Sequence, residues 1–323
     1  MARWLARRLL HAVLTVAIAI TLAFFLMRLA PGDPLSRLGD ERPMPASELA
    51  GLRARYGLDQ PLLAQYTTFV AAAVGGDFGR SIHYGRPVRE IILDRLPASL
   101  LLGGGALLLT MLGGALLGAL QALRRDSLLD RTAGVVSLAA YATPSFWLGL
   151  VLAWLVGIEW RLLPVGGFRD PLLAADASWM LQVADVLRHL ALPLLTLTIV
   201  SIGAVMRYQR TAMLEALAQP FVAAARARGL SERRIRWRHA LRTSLFPIVT
   251  LLGLWLPVLA AGSVFVESVF AWPGLGSLAA EAVGTRDYPL LMGVTLLVAV
   301  LVVLGGLLAD IAYAALDPRV RPA

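Results

Sequence analysis

Glu267 is the single acidic residue in an apolar block that runs from residue 248 to 270. An ionisable side chain in such a block is costly to keep away from water, and residues of this kind are commonly functional. Trp272 and Pro273 follow within a few residues, which favours a position near the edge of a membrane rather than its centre. We therefore treat Glu267, together with Pro273 and Gly274, as a candidate functional group.

Other residues that could do chemistry form no recognisable constellation. The sequence has no cysteine, which excludes disulfides and thiolate sites, and its four histidines are too dispersed for a shared metal site: His11, His83, His189 and His239. No His-Glu-x-x-His motif and no Ser/His/Asp grouping is present, which argues against an intramembrane enzyme. The glycine runs lack the lysine and the strand of a phosphate-binding loop, and Gly114 and Gly118 instead have the spacing of closely packed helices.

The densest charge lies in residues 221–247, FVAAARARGLSERRIRWRHALRTSLFP. Pro220 suits the first turn of a short helix, and Gly229 suits its left-handed end. Ser231 can cap a further helix, with Glu232 well placed near its positive end. We therefore predict two short helices, the first at 220–229.

The second of these helices should be amphipathic. Trp237, Leu241 and Leu245 lie four residues apart on one face, and three arginines line the adjacent face: Arg234, Arg238 and Arg242. On residues alone, two interpretations stay open. The stretch could be a docking surface for a partner, or a solvated connection whose arginines bind anionic lipid.

Long apolar blocks must position these residues. The chain has 323 residues, of which 58% are apolar and 16% charged, and this composition is typical of a polytopic membrane protein. Six blocks are long enough to cross a hydrocarbon core: 9–29, 98–121, 134–157, 189–208, 248–270 and 289–312. Pro193 interrupts the fourth block. We expect the first to be a retained span and not a cleaved signal peptide.

The distribution of arginine predicts the orientation, all thirty basic residues being arginine. With the N-terminus inside, arginines outnumber acidic residues by roughly three to one in the cytoplasmic pieces, whereas the two are about equal in number outside. Both termini and the segment 209–247 are therefore predicted to be cytoplasmic. Residues 31–97 form an extracytoplasmic loop with turns at Pro31–Pro34 and Arg42–Pro45 and helices near Ser47–Tyr56 and Gln60–Val74. The whole chain is predicted to be one all-α membrane domain.

The stretch Ala223-Ala224-Ala225, with Gly229 and Leu241 beyond it, resembles the cytoplasmic loop of ABC importer permeases. More specifically, the chain resembles the first of the two permeases in peptide-type importers, which serve dipeptide, oligopeptide, glutathione and nickel systems. The matching motifs run along nearly the whole chain: Arg7-Arg8-Leu9, Pro31-Gly32-Asp33-Pro34, Tyr56-Gly57-Leu58-Asp59, Gly76-Asp77-Phe78-Gly79 before Ser81, Glu267 to Gly276, Arg286-Asp287-Tyr288-Pro289 and Ala315 to Arg319.

Two residues depart from the general loop pattern of these permeases. Its leading glutamate is Ala223 here, and the proline expected thirteen residues after the glycine is Arg242, with Pro247 coming later. The relaxed form is common in the peptide branch, so the departures indicate the subfamily. They also mean that no single acidic contact can be named as the anchor to a partner.

The resemblance implies a mechanism and a set of partners. A second homologous permease, two ABC ATPases and an extracytoplasmic binding protein complete the importer, and ATP and Mg are held by the ATPases, so no cofactor is expected in this chain. The short helix would rest in a cleft of the ATPase, with these residues in contact or in support: Phe221, Val222, Ala224, Ala225, Ala227, Gly229, Leu230, Ser231 and Leu241. Glu267, Pro273 and Gly274 would serve in gating or in a structural hydrogen bond, with direct substrate binding as the alternative.

Competing functions make different demands on the sequence. A stand-alone secondary transporter favours ionisable residues deep in the spans or broken helices in paired repeats, and the span centres here are nearly free of charge. Nucleic-acid binding is disfavoured because no stacking aromatics are interleaved with the arginines. We expect an importer subunit of a bacterial or archaeal cytoplasmic membrane that carries di- or oligopeptides, with glutathione, nickel chelates or another small solute as alternatives.

Overall fold

The computed structural model describes residues 2–29, 35, 45–174, 176–260 and 262–316. Within these ranges the regular secondary structure is helical, and the only β-type pairing is an isolated antiparallel bridge between Arg80 and Pro87. This agrees with the predicted all-α class. The turn predicted at Pro31–Pro34 and most of the turn predicted at Arg42–Pro45 lie outside the described residues.

In the part of the chain that the structure describes, four helices are long and apolar enough to cross a membrane. They are α1 (Ala2–Leu29), α4 (Val88–Leu123), α7 (Trp179–Leu217) and α14 (Tyr288–Leu316). The predicted blocks 9–29, 98–121, 189–208 and 289–312 fall inside these helices. Pro193 does not interrupt α7, because the helix continues on both sides of it.

The third predicted block, 134–157, is not one straight helix. It divides into α5 (Leu128–Ala142) and α6 (Ser145–Leu152), and α6 continues as a π-helical segment, Ala153–Glu159. The two parts are bent by 103° at Thr143-Pro144. Proline disfavours a helical conformation of the residue before it, and Thr143 is extended, so the helix ends there. Counted as one broken span, the pair brings the candidate spans to five.

The fifth predicted block, 248–270, is also interrupted. Helix α11 (Phe246–Ala260) is followed by Gly262 at φ +86°, and then by the short α12 (Val264–Val269). A positive φ is easily adopted by glycine and ends the helical run. The break lies five residues before Glu267, which places that carboxyl at a junction between helices and not within a continuous span.

The longest packing interface joins α4 to α7, and small residues make it close. A Cβ atom added to Gly114 would lie 2.6 Å from the Cβ of Val205, and one added to Gly118 would collide with the carbonyl oxygen of Met206. The close helix packing predicted from the spacing of Gly114 and Gly118 is thereby confirmed.

A core cluster connects α4 to the chain that follows α12. The Trp272 side chain is buried and its Nε1–H donates to the carbonyl of Ala98 at 2.9 Å. The ring of Phe168 packs edge-on against Trp272 at 5.0 Å between centroids, and the Gly167 N–H donates to the carbonyl of Phe270 at 2.8 Å. Residues 270–272 therefore connect the loop that follows the π-helical segment to α4.

The predicted outer loop contains two helices near the expected positions, α2 (Ala46–Arg55) and α3 (Leu62–Val74). Its end packs on the segment between α13 (Leu275–Thr285) and α14. The buried Asp287 carboxylate accepts hydrogen bonds from the Ser81 hydroxyl, from the His83 N–H at 3.0 Å and from the Leu290 N–H at 3.1 Å. Two motifs that lie 206 residues apart in the sequence thus meet at the start of α14.

The predicted cytoplasmic segment contains α8 (Pro220–Ala227), α9 (Glu232–Arg234), a π-helical turn (Ile235–Ala240) and α10 (Leu241–Ser244). We refer to residues 219–245 as the coupling segment. It connects the end of α7 to the start of α11.

Candidate functional site

Helix α8 is short because its two ends are fixed by local chemistry. Gln219 is extended and Pro220 occupies the first helical position, where a missing N–H has no cost. At the other end the Gly229 N–H donates to the carbonyl of Arg226 at 2.9 Å and the Leu230 N–H donates to that of Ala225 at 3.2 Å. Gly229 has φ +75°, which confirms the left-handed conformation predicted for it.

The predicted docking residues of α8 divide between two faces. Val222 and Ala225 are buried against Ile235, and Leu230 packs at the edge of this small cluster. The opposite face is exposed and consists of small or apolar residues: Phe221, Ala224 and Ala227, followed by Gly229 and Ser231. The buried residues attach α8 to the molecule, and the exposed ones leave a surface that a partner can contact.

The π-helical turn changes the side chains that face inward. Ile235 and Ala240 are fully buried and five residues apart, which is the spacing of an i to i+5 turn, and the Leu241 N–H donates to the carbonyl of Arg236. The sequence predicted an inward face formed by Trp237, Leu241 and Leu245 at ordinary helical spacing. Leu241 and Leu245 are half-buried, but Trp237 is 38% exposed, so its assignment to the inward face was wrong.

Sequence reasoning missed Ile235 and Ala240. Both are apolar residues within a run of arginines, and this contrast was the one signal that could have identified them. A regular helix would place them on different faces, so the π-helical turn had to be known first.

Glu232 joins α8 to α9 and the π-helical turn. Its carboxylate accepts a hydrogen bond from the Arg226 Nε–H at 2.6 Å and lies 3.4 Å from Nε of Arg236. The hydrogen bond from Arg226 is the main cause that lowers the pKa of Glu232 below its ordinary value. Ser231 occupies the predicted N-cap position, but its side chain makes no capping hydrogen bond. The expected capping hydrogen bond is therefore absent at Ser231.

Arginines line two open depressions on the exposed surface of the coupling segment. Arg228, Arg234, Arg238 and His239 surround one, and Arg238, His239 and Arg242 border the other together with Phe221. The three arginines predicted to form a basic face, at positions 234, 238 and 242, are all exposed. The surface beside α8 therefore carries positive charge, which suits an acidic partner surface or anionic lipid.

The coupling segment is held firmly on the C-terminal end of α7. Ala240 and Leu241 pack against Met213 and Ala216, and the buried Gln209 amide donates to the Ser244 hydroxyl at 2.7 Å. Leu241 was predicted as a coupling residue, and the structure places it inside this attachment and not on the exposed face. The coupling segment and α7 are thus joined through packed side chains.

An ion pair ties the same end of α7 to α5. The Arg210 guanidinium donates two hydrogen bonds of 2.8 Å to the carboxylate of Asp130. Asp130 is buried and also accepts from the Asp126 N–H at 3.0 Å. Such a bidentate pair fixes direction as well as distance, so α5 and α7 are joined where the coupling segment begins.

Glu267 lies at the other end of the molecule, at the starts of two helices. The side chain is fully buried, and its carboxylate accepts hydrogen bonds from the Ser263 N–H at 3.1 Å and the Ser277 N–H at 2.7 Å. Ser263 precedes α12 and Ser277 lies in the first turn of α13, so the anion is placed where both helices carry positive partial charge. This geometry is that of a structural hydrogen bond, one of the two roles predicted for Glu267.

Glycines surround the Glu267 carboxylate. A Cβ atom on Gly262 would lie 2.5 Å from Oε1 of Glu267, and one on Gly274 would lie 2.6 Å from the same oxygen. Gly274 is therefore explained by the space that the carboxylate needs. Pro273 is half-buried beside it and connects Trp272 to the start of α13. The three predicted residues Glu267, Pro273 and Gly274 thus form one helix junction, and a role in gating stays a prediction.

Among the residues that the structure describes, no group of three or more histidine, aspartate or glutamate side chains is placed to hold a metal ion. His83 and His189 pair with separate acids, Glu281 and Asp185, in different parts of the fold.

Comparisons with known proteins assign the chain to a family. A family model described as "Binding-protein-dependent transport system inner membrane component" matches residues 114–322, and a model for the N-terminal part of such membrane components matches residues 1–103. These models cover both ends of the fold, including the coupling segment and the Glu267 junction.

Three relatives are similar along the whole chain. The oligopeptide transport system permease protein AppB of Bacillus subtilis is 37% identical, with 99% of this chain and 100% of that protein covered. The dipeptide transport system permease protein DppB of Escherichia coli is 35% identical, and the oligopeptide transport system permease protein OppB of Mycobacterium bovis is 39% identical, each with 99% of both chains covered. The chain therefore belongs to the family of inner membrane components of binding-protein-dependent transport systems.

Proposed function

We propose that this chain forms one half of the translocation path of an ATP-driven importer for di- or oligopeptides. Its family consists of inner membrane components, which agrees with the prediction of a multi-pass transport subunit without catalysis of its own. The observation that carries the proposal is the geometry of α8. A short helix with an exposed apolar face is attached through Val222 and Ala225 to a segment that packs directly on α7.

The mechanical part of the proposal follows from these contacts. An ATPase that closes around the exposed face of α8 moves the coupling segment as a unit, because Ile235 and Glu232 hold its two short helices together. Packing of Leu241 on Met213, and the bond between Gln209 and Ser244, pass the motion to α7. The Asp130–Arg210 pair then carries it to α5. This is a rigid-body transition of packed elements, in which α8, bounded by Pro220 and Gly229, moves together with the rest of the coupling segment.

The topology of the proposal has six crossings with both termini in the cytoplasm. Four long helices and the bent pair supply five of these crossings, and α11 with α12 supplies the remaining one. The arginine distribution sets the orientation, in the arrangement of type I importer permeases. A second homologous permease, two ATPase subunits that hold ATP and Mg, and an extracytoplasmic binding protein complete the machine.

The proposed substrate class rests on the relatives. Full-length similarity to permeases named for oligopeptide and dipeptide transport supports peptides as cargo. Glutathione, nickel chelates or another small solute carried by the same machinery are the alternatives. A stand-alone secondary transporter is the remaining alternative from a different class, and the experiment below separates it from the importer.

The test reconstitutes the chain alone, and again with its paralogue and ATPases, and measures uptake of a labelled dipeptide in proteoliposomes supplied with binding protein. Uptake should require all subunits and ATP. Ala224→Trp places a bulky side chain on the exposed face of α8 and should lower ATP-dependent uptake at least about tenfold, because roughly 1.4 kcal/mol of lost docking is a factor of ten. ATPase subunits should also be lost during purification of this variant.

Ala71→Trp is the matched control, since Ala71 is also exposed but lies on α3, on the opposite side of the molecule. This variant should transport normally. Uptake by the chain alone and without ATP would contradict the proposal and favour a secondary transporter. Full retention of ATPase subunits and of uptake in Ala224→Trp would show that α8 is not the docking element.

A further inference from the structure

An apolar groove of about 470 Å³ runs between α1, α3, α4 and α14. Its walls include Val16 and Ile20 of α1 and Leu297 and Val300 of α14. Near its outer end lie Leu93, which is 52% exposed, and Arg89, whose side chain is the one charged group in the lining. None of the functional elements described above uses this groove.

The groove is shorter than one leaflet of a bilayer. Its lining on α4 runs from Arg89 to Leu96, seven residues or about 10 Å at 1.5 Å per residue, and its lining on α14 runs from Leu296 to Val300. Half of a hydrocarbon core is about 15 Å. With the orientation proposed above, the end at Arg89 faces the outer surface and the end at Val300 lies deeper in the membrane.

Helix α3 forms the outer wall of the groove and has the character of a helix in contact with lipid. None of its residues is buried, and Leu62, Leu63 and Val74 expose 49%, 69% and 85% of their surface. One side of α3 packs on α1, where Tyr66 and Phe69 contact Phe24, and its uncovered side is stable at a membrane interface, where hydrocarbon replaces a protein core. The groove beside α3 consequently opens to lipid.

Arg89 is placed to bind an anion at the mouth of the groove. It is exposed in the first turn of α4, and no carboxylate of the described residues lies within ion-pair distance of it. Arg86, three residues earlier, is different, because it pairs with both Glu90 and Asp94. Arg89 thus presents an unneutralised guanidinium at the level of the lipid headgroups, and a guanidinium binds phosphate well.

We propose that this groove is a binding site for one glycerophospholipid of the outer leaflet, with an acyl chain between α1 and α14 and the phosphate at Arg89. A peptide segment does not suit the groove, because its backbone N–H and C=O groups would find no partners among the apolar walls. A hydrocarbon chain has no such groups. The lipid joins α1 and α3 to the rest of the molecule and fills a gap that protein side chains leave open.

The experiment places the assembled transporter in nanodiscs that contain a trace of phosphatidylglycerol with a photoactivatable diazirine at the end of one acyl chain. After irradiation, mass spectrometry should find adducts concentrated on α14 near Val300 and on α1 near Val16. Ala73→Phe inserts a ring into the groove and should reduce these adducts about tenfold, since each methylene displaced from an apolar contact changes the occupancy about fourfold. Arg89→Ala should reduce them severalfold by removing the phosphate contact.

Ala71→Phe is the matched control, because Ala71 is exposed on the same helix and does not line the groove; its adducts should equal those of the unchanged protein. Even labelling along the exposed faces of all helices, or adducts unaffected by Ala73→Phe, would overturn the proposal. The chain has no cysteine, so Leu93→Cys introduces a single reactive thiol. Cross-linking of this thiol to another subunit in high yield would show that protein and not lipid covers the groove.

Discussion

The two ends of the molecule are each held by a glutamate at a helix junction, but the surroundings of the two carboxylates are opposite. Glu267 is fully buried and bonded to backbone N–H groups, with glycines packed around it. Glu232 lies on the surface, and its partners are the flexible side chains of Arg226 and Arg236. The Glu267 junction requires one geometry, whereas the Glu232 junction can form again after it opens.

This difference follows from the cost of an unmade interaction. A buried donor that loses its acceptor is left without water, so the Glu267 junction cannot open locally without a large penalty. Exposed ion pairs contribute little, because water and salt replace the lost partner. We infer that the proposed outer end is a fixed frame, while the coupling segment is held mainly by a few apolar residues such as Val222 and Ile235.

The end that contains Glu267 has a second buried carboxylate of the same kind. Asp287 accepts from the Ser81 hydroxyl and from the backbone of His83 and Leu290. It joins the outer loop to the start of α14, as Glu267 joins α12 to α13. At the other end the buried carboxylate of Asp130 has the Arg210 side chain as its main partner, and the contacts of α8 itself are apolar or exposed.

The largest expected effect tests the fixed frame. Glu267→Leu leaves the buried N–H groups of Ser263 and Ser277 without acceptors and should lower the free energy of unfolding by about 3 kcal/mol. Glu267→Gln keeps one oxygen acceptor and should lose less. The measurement is the Tm of the purified transporter by intrinsic fluorescence.

Ser268→Ala is the control for this prediction, because Ser268 is the exposed neighbour of Glu267 and should change the Tm little. If Glu267→Leu unfolds at the same temperature as the unchanged protein, the carboxylate does not hold the junction. The contrast between the two ends would then fail at its stronger side.

The extent to which sequence alone predicts this fold depends on the range of the interactions. Apolar blocks located the long helices, and Pro220 and Gly229 bounded α8, because these signals act within a few residues. The sequence alone did not decide whether a given proline ends a helix. Pro193 is buried within an unbroken α7, whereas Pro144 separates two helices bent by 103°. The tertiary packing around each proline decides the outcome, and a single sequence does not contain that packing explicitly.

The candidate site shows the same limit. The bounds of α8 could be predicted from its residues, but the predicted docking residues did not separate its exposed face from the buried Val222 and Ala225. The buried role of Ile235 depends on a π-helical turn that has no local sequence rule. The hydrogen bond between Ser81 and Asp287 joins residues 206 positions apart, and a reading of nearby residues cannot pair them. The motifs at both positions were recognised, but their contact was not.

At Gly229 we expect a smaller loss of stability than at Glu267. The main effect there should be on the coupling of ATP hydrolysis to uptake. A Cβ atom there would meet no other group within 4 Å, so the cost of Gly229→Val comes from its φ of +75° and not from a clash. Strain of about 1–2 kcal/mol should shift the end of α8. Uptake per ATP hydrolysed should fall severalfold while the subunits stay assembled. Coupled uptake assays and ATPase assays on the same proteoliposomes provide the measurement.

Gly229→Asn is the matched variant, since asparagine tolerates the left-handed conformation much better than valine. It should retain most of the coupling. Normal coupling in Gly229→Val would show that α8 does not act as a rigid lever, and equal losses in both variants would indicate that the side chain itself, and not the backbone conformation, disturbs the partner surface.

The smallest expected effect concerns pH at Glu232. Its pKa is lowered by the Arg226 hydrogen bond, so the ion pair contributes fully above the ordinary glutamate pKa of about 4.3, and the contribution is lost as the pH falls through the lowered value. Hydrogen exchange of the α8 amides, corrected for intrinsic rates, should therefore be constant across neutral pH and should rise slightly only in acid.

Glu232→Gln should show the acid value at every pH. Arg233→Gln, which alters charge beside the pair without removing it, should behave as the unchanged protein. Because the pair is exposed, high salt should reduce the difference between Glu232→Gln and the unchanged protein. A strong dependence between pH 6 and 8 would mean that a group other than Glu232 controls the attachment of α8.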